Sequence, residues 1–223
     1  MKGQVKDGKK YYKYVYRDFV QPQMTWNGII GDLNTMAVSA SFSRTNWTRG
    51  PIYNAFWPNT GTMGFYCDEY YGYMEVYMYV PKPLKLTGIY IQSIYEHNSC
   101  GGVYNPRMWG GRAWGWQDEA LFYYDGLIIG EGQAATLYSS TQNYYQYFRL
   151  YMGNGTRSYN DRMIVSNLRL YGQTREIVEG TPDNYDFYIN DPDMSVFYDN
   201  EESKYYAMNS YEKGQYFTKT GRA

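Results

Sequence analysis

From Tyr71 to Val80 the chain alternates without a break. Tyr71, Tyr73, Glu75, Tyr77 and Tyr79 share one parity, and Gly72, Met74, Val76, Met78 and Val80 share the other. Only an extended strand, whose successive side chains point to opposite faces, turns this pattern into one apolar and one tyrosine-rich face. Pro81 and Pro83 come next. Proline donates nothing to a ladder, so the strand is expected to end there.

The same period of two returns downstream. Ile89 and Ile91 share a face within 86–95, and Phe148, Leu150 and Met152 share one within 144–152. Ile164, Leu168 and Leu170 lie on a common side of 162–171, and a strand over 120–124 runs into Asp125-Gly126, a favoured hairpin turn. Segments 57–64, 98–111 and 153–161 are rich in Gly, Asn, Pro, Ser and Thr and are expected as loops. No stretch carries a 3.6-residue apolar stripe. The reading is an all-β antiparallel sandwich over 17–172, with Met74, Val76, Met78, Ile89, Ile91, Phe148, Leu150 and Leu168 in its core.

Composition narrows function further. Lys+Arg is 21 against Asp+Glu 22, a net charge of -1 that lacks the basic footprint of a nucleic-acid binder. One histidine, His97, excludes every two-histidine metal motif, and two cysteines exclude a Cys-rich zinc module. Cys67 and Cys100 remain able to pair. The excess lies in 30 tyrosines, beside 6 tryptophans and 9 phenylalanines, in a chain whose mean hydropathy is -0.67. Large amphipathic rings on a polar background suit strands, interfaces and sugar-stacking surfaces. No run approaches the ~18 apolar residues of a spanning helix, so membrane insertion is not expected. Residues 1–6 carry charge without an apolar stretch behind them, so no export signal is expected.

The composition shifts after Gly172. Residues 1–16 read as a Tyr-rich attachment strand, 17–172 as the sandwich, and 173–223 as a linker with a short β-rich appendage.

The order of pieces over 54–172 carries a resemblance. Asn54-Ala55-Phe56 precedes a Gly/Thr-rich loop. The long strand, Pro81-Lys82-Pro83-Leu84 and Leu86-Thr87-Gly88-Ile89-Tyr90-Ile91 follow. Tyr147-Phe148-Arg149-Leu150-Tyr151 and Leu168-Arg169-Leu170-Tyr171-Gly172 come last. This resembles the discoidin, or galactose-binding-like, domain of coagulation-factor C-terminal type, which implies a jelly-roll β-sandwich with ligand loops at one end. The family commonly has an acidic calcium ligand directly after the Ala-Phe pair, where this chain has Trp57. A structural calcium is therefore not carried over, although Asp32, Asp68 and Glu69 could supply oxygen ligands. No cofactor is expected. The opening 11–25 is also similar to discoidin-like modules of bacteriophage tail-fibre and virion proteins. That implies a chain made in a host cytoplasm and delivered in a virion.

For a binding site the richest segment is 104–118, with three indoles flanked by Arg107, Arg112, Gln117 and Asp118. Sugars stack their CH faces on aromatic rings while polar groups take the hydroxyls. Trp57 and Trp109 are the expected stacking surfaces, with Arg107, Arg112 and Asp118 as the clamp. The loops 57–66 and 98–118 would then form one end of the sandwich. Trp109, beside Gly110-Gly111, is expected in a loop. Trp114 and Trp116, two apart, are expected to share a face in the core or at a subunit seam. The tyrosine row at 71–79 is expected as a second buried face under a terminal segment or a neighbouring subunit, rather than as an open platform.

No catalytic residue is expected. Asp118 and Glu119 are adjacent and on a strand would face opposite ways, and His97 has no nucleophile arranged around it. The expected function is a non-enzymatic virion protein, a fibre, receptor-binding or decoration subunit. Its partners would be other virion proteins, copies of itself and a host-surface glycan. A bacterial carbohydrate-binding module is the alternative, and a glycan-cleaving enzyme ranks below both.

Overall fold

The computed structural model describes residues 10–22, 24–32, 34–42, 51–56, 65–67, 72–93, 100–154, 162–181, 187–189, 195–199, 204–208 and 220. Its strands are, in chain order, β1 (Lys10–Asp18), β2 (Ala37–Phe42), β3 (Phe65–Cys67), β4 (Tyr73–Ser93), β5 (Cys100–Gly101), β6 (Val103–Gly111) and β7 (Glu119–Tyr123). There follow β8 (Ile128–Ile129), β9 (Ala134–Tyr138), β10 (Tyr145–Asn154), β11 (Arg162–Glu179), β12 (Phe187–Ile189), β13 (Ser195–Asp199) and β14 (Lys204–Met208). One 3-10 turn, Ile52–Phe56, buries Ile52, Ala55 and Phe56.

Contacts group the chain into two compact units, Asp18–Thr174 and a second made of Met1–Arg17 with Arg175–Ala223. The larger unit is an antiparallel β-sandwich built on β4, whose two halves serve different neighbours. Residues Tyr73–Tyr79 pair with β2 and β10, while residues Leu84–Ser93 pair with β11 and, over part of that span, β9. The inward residues are even-numbered from Met74 to Leu86 and odd-numbered at Ile89 and Ile91, the alternation shifting at the irregularity between Leu86 and Gly88. Met74, Val76, Met78, Ile89, Ile91, Phe148, Leu150 and Leu168 are each at most 1% exposed and meet in one apolar cluster. Burying a side chain of this size contributes roughly 1.5–3 kcal/mol.

The prolines do not end β4. Pro81 and Pro83 sit where the strand changes partners, between the Tyr79↔Tyr147 and Leu84↔Tyr145 pairs, where the ladder is irregular. A missing N–H costs least at such a bend. Gln146 serves the carbonyls left there: its Nε2 donates to Val80 O at 3.3 Å and to Pro81 O at 3.1 Å.

Three further expectations are corrected. Residues 103–111, expected as a loop, form a strand that pairs with β10 along one edge and with β7 and β8 along the other. Its turn-forming residues have specific work there. Asn105 takes a positive φ of 48°, and Gly110 admits the Tyr145 ring, whose Cγ would lie 2.7 Å from an added Cβ. Asp125-Gly126 is not a hairpin: β7 and β8 both run antiparallel to β6, so the turn is a bulged interruption along one line of pairing. Finally, β11 extends to Glu179, through residues expected as a linker, because Gln173 and Thr174 still pair with Lys85 and Leu84.

The second unit holds the antiparallel pair β13–β14, registered Val196↔Ala207, and β1 pairs with β12 with Tyr12 opposite Phe187. Within it Arg175 lies over the Tyr14 ring at 4.9 Å.

Candidate functional site

The outward parity class of the sheet β2-β4-β10-β6-β7 is read directly from its register. One row runs Ser39, Tyr77, Arg149, Trp109; the next runs Ser41, Glu75, Tyr151, Arg107, Tyr123. Phe148, Leu150, Met108 and Phe122 occupy the inward positions between them. Alternation that builds the core on one side therefore assembles rings, guanidinium groups and a carboxylate on the other.

Two charge centres organise this face. Arg149 pairs with Glu75, which is only 8% exposed and also accepts from Tyr77 Oη at 2.6 Å. The Arg149 guanidinium stands 5.7 Å from the ring centres of both Tyr77 and Trp109. The Gln117 side-chain oxygen, with its amide oriented to satisfy both atoms, accepts from Arg149 Nε at 3.2 Å. The second centre is more open. Arg107 donates from Nε and Nη2 to Asp125 Oδ1, at 3.0 and 2.8 Å, and lies 5.5 Å from the Tyr123 ring centre.

The rings are locked to one another. Trp109 Nε1 donates to Tyr123 Oη at 2.9 Å, with the two rings edge-on at 5.6 Å. Tyr73 stacks on Tyr151 at 5.4 Å, and Tyr79 packs on Tyr147 at 5.3 Å. Burial raises the hydroxyl pKa of Tyr77, Tyr79, Tyr147 and Tyr151 above the usual tyrosine value. For Tyr77 the Glu75 carboxylate adds to the rise, since it accepts the phenol proton.

Of the residues expected to bind, Arg107 and Trp109 come together here, two apart on β6. Trp109 is in a strand, not a loop, and is half-buried against its neighbours. Arg112 and Asp118 lie at the end of β6 and satisfy each other. The Arg112 N–H donates to Asp118 Oδ2 at 2.6 Å, Arg112 Nε stands 3.8 Å from Asp118 Oδ1, and its guanidinium covers the Trp116 ring at 3.6 Å. Because β6 crosses the sheet, residues 100–102 and 112–118 leave it at opposite ends, so 98–118 cannot form a single end of the sandwich. Trp57, Tyr71, His97, Asp68 and Glu69 lie outside the described residues, as do the side chains of Cys67 and Cys100.

For Trp114 and Trp116 the core half of the expectation is corrected. They belong to the turn after β6 and miss the core: Trp114 packs on Tyr77 at 6.0 Å, and Trp116 is 48% exposed. The tyrosine row is covered in part by loops of its own unit. The turn at 112–118 lies over Tyr77, and the Gly31 backbone amide reaches the hydroxyl of the buried Tyr79. Neighbouring Glu119 is a strut: it accepts from Tyr145 Oη at 2.6 Å, Thr141 Oγ1 at 2.8 Å and Asn143 Nδ2 at 3.0 Å. Arg149, Tyr151, Tyr123 and Asp125 escaped the sequence reading, although the inward assignment of Phe148, Leu150 and Met152 already placed Arg149 and Tyr151 on the opposite face. Among the described residues no group of three or more His, Cys, Asp or Glu side chains could hold a metal ion.

Such a face stacks planar rings against CH surfaces and offers donors from Arg107 and acceptors from Asp125 and the tyrosine hydroxyls. No protein-family model matches the chain, and no curated protein matches it by sequence. Among solved structures it is similar to the CBM32-1 module of a family 31 glycoside hydrolase from Clostridium perfringens, at 13% identity over 64% of this chain and 97% of that one, TM-score 0.41. It is also similar to the family 32 carbohydrate-binding module of Clostridium perfringens NanJ in complex with galactose, at 11% identity over 63% and 96% of the two chains, TM-score 0.43. A fucolectin from striped bass (Morone saxatilis) serum gives 14% identity over 60% of this chain and 46% of that one, TM-score 0.43.

Proposed function

We propose that the Asp18–Thr174 unit is a non-catalytic carbohydrate-binding module whose outer sheet face takes a glycan chain. One observation carries this reading: Tyr151, Arg107 and Tyr123 lie side by side on adjacent strands, with Trp109 and Tyr73 flanking them. From β4 to β7 that row crosses three strand spacings, roughly 14 Å, which accommodates more than one sugar ring. Of the residues expected from the sequence, Trp109 and Arg107 are assigned to this surface, and Arg112 and Asp118 border it in their turn.

Tyr123 is the ring to remove, because it is 53% exposed and its loss leaves the core intact. Covering such a ring with a sugar is worth roughly 1–3 kcal/mol, so Tyr123→Ala is expected to weaken glycan binding ~5–150-fold at unchanged melting temperature. A glycan array on the intact chain, followed by titration calorimetry of the best ligand with both proteins, makes the comparison. Equal affinity of the two would refute the outer face as the binding surface. Of the two settings weighed from the sequence, we propose the module reading first. The virion setting is a separate proposal, tested by whether the chain is found in purified particles.

A further inference from the structure

The outer face carries its charge in matched pairs: Arg149 with Glu75, Arg107 with Asp125 and, at the border, Arg112 with Asp118. The pair at Arg107 is the most open of the three, and Asp125 is held there by backbone rather than by a chance rotamer. Leu127 N–H donates to Tyr124 O at 3.2 Å and closes a turn around Asp125-Gly126. Both flanks of that turn are tied to β6. Tyr124 N–H donates to Pro106 O at 3.1 Å, and Asn105 N–H donates to Leu127 O at 3.0 Å. Asn105 Oδ1 also accepts from Gly126 N–H, with Asn105 at a φ of 48° that few residues other than Gly, Asn and Asp adopt. The strand that carries the guanidinium therefore also anchors the carboxylate set against it.

This placement decides which charge a ligand can bring. A planar guanidinium presents paired donors, the geometry that a sugar carboxylate or sulfate seeks. Here Arg107 Nε and Nη2 both already donate to Asp125 Oδ1, at 3.0 and 2.8 Å, beside the exposed Tyr123 ring. An anion sharing that guanidinium would stand about 4–5 Å from the Asp125 carboxylate, where like charges in water weaken binding roughly fivefold. An anion that expelled Asp125 would exchange one exposed ion pair for another and leave the anchored carboxylate nearby without a partner. A neutral hydroxyl meets neither obstacle. The other guanidinium in the rows of this face, Arg149, is committed to the largely buried Glu75.

We propose that Asp125 is a specificity-determining residue: by occupying the Arg107 fork it restricts the outer face to uncharged glycans and rejects uronate-bearing, sialylated and sulfated ones. The proposal rests on the outer-face reading and adds the charge class of its ligand.

An array that sets each neutral glycan beside its uronate-bearing, sialylated and sulfated counterparts, probed with the intact chain, tests it. The wild-type chain is expected to prefer the neutral members. Asp125→Asn keeps the shape of the side chain and removes its charge. It is expected to raise binding of the acidic counterparts about fivefold and, having lost an acceptor, to lower neutral binding about twofold, so that the acidic-to-neutral ratio climbs about tenfold. The gain should disappear in about 0.5 M salt, and also when Arg107→Gln is added to Asp125→Asn; a merely structural effect would follow neither. Should Asp125→Asn fail to fold, Asp125→Ser decides by the same ratio. A wild-type chain that binds acidic counterparts as well as neutral ones overturns the proposal, and so does a variant whose ratio matches that of wild type; both results leave the outer-face reading standing. No glycan bound by the wild-type chain, or binding that Tyr123→Ala leaves intact, overturns the outer-face reading and this proposal with it.

Discussion

Glu75 is the residue on which the outer face turns, and its replacement by leucine should show how much. The carboxylate is 8% exposed, pairs with Arg149 and accepts from Tyr77 Oη at 2.6 Å. Removing one partner of a buried ion pair costs about 3–5 kcal/mol because the other charge is stranded. Arg149 is not wholly stranded, since its side chain is 23% exposed and Gln117 still accepts from its Nε at 3.2 Å. The lower bound therefore applies, about 3 kcal/mol, with about 1 kcal/mol more for the Tyr77 hydroxyl that loses its acceptor. At ~2–4 °C per kcal/mol for a chain of this size, Glu75→Leu should lower the melting temperature by ~8–16 °C. Arg149→Met in the same background should restore part of that, because replacing both members leaves no unpaired charge. Urea denaturation of wild type, both single variants and the double variant closes the cycle, with a coupling of about 2 kcal/mol expected. A Glu75→Leu cost under about 1 kcal/mol, or a coupling indistinguishable from zero, would refute the claim that this pair organises the face.

Two further outcomes follow from packing and titration. Gly110→Ala places a Cβ 2.7 Å from Cγ and 2.8 Å from Cε2 of the Tyr145 ring, so it should cost roughly 1–3 kcal/mol in urea denaturation, and wild-type stability would mean that the ring has room to move. Tyr77, Tyr79, Tyr145, Tyr147 and Tyr151 all have pKa values raised above 10.0, chiefly by burial, with Glu119 adding to the rise at Tyr145. The fold favours their neutral form, so stability should hold up to pH ~10 and fall as pH climbs from there through the raised folded values, because the unfolded chain ionises first. Tyrosinate absorbance and circular dichroism recorded together check this; ionisation of these phenols near pH 10 with the fold intact would contradict it.

How much of this was legible depends on whether the cause is local. The inward placement of Met74, Val76, Met78, Phe148, Leu150 and Leu168 follows from parity alone, and a one-residue slip would turn every one of them outward. The passage of β4 through Pro81 and Pro83 was not legible, because it depends on a change of strand partners and on Gln146, distant in sequence, reaching the Val80 and Pro81 carbonyls. The strand character of 103–111 was hidden for the same reason. Asn105, Pro106, Gly110 and Gly111 look like loop residues until Tyr145 and the Trp116 backbone are seen to require the glycines. At the site, Trp109 and Arg107 shared a parity in plain view. The Glu75–Arg149 pair spans 74 positions and exists only in the register of β4 against β10.

The two charge centres on the outer face differ in a way that assigns them different work. Glu75 and Arg149 are largely withdrawn from solvent and hold Tyr77 and Trp109 between them, so a ligand that broke this pair would leave a buried charge uncompensated. That centre is scaffold: it fixes the rings in advance, which on the proposed reading would spare an arriving sugar the entropy of ordering them. Arg107 and Asp125 have side chains 40% and 65% exposed, and pairs this open are worth about 0–1 kcal/mol. On the proposed reading, a sugar hydroxyl could displace Asp125 from the guanidinium, or accept from the same fork beside it, at little cost. Arg107 already sits over the Tyr123 ring, so the displacing group would arrive where the stacking surface is. On the proposed reading, selectivity among glycans is therefore expected to respond to Arg107 and Asp125, and the overall strength of binding to Glu75 and Arg149, which keep the platform rigid.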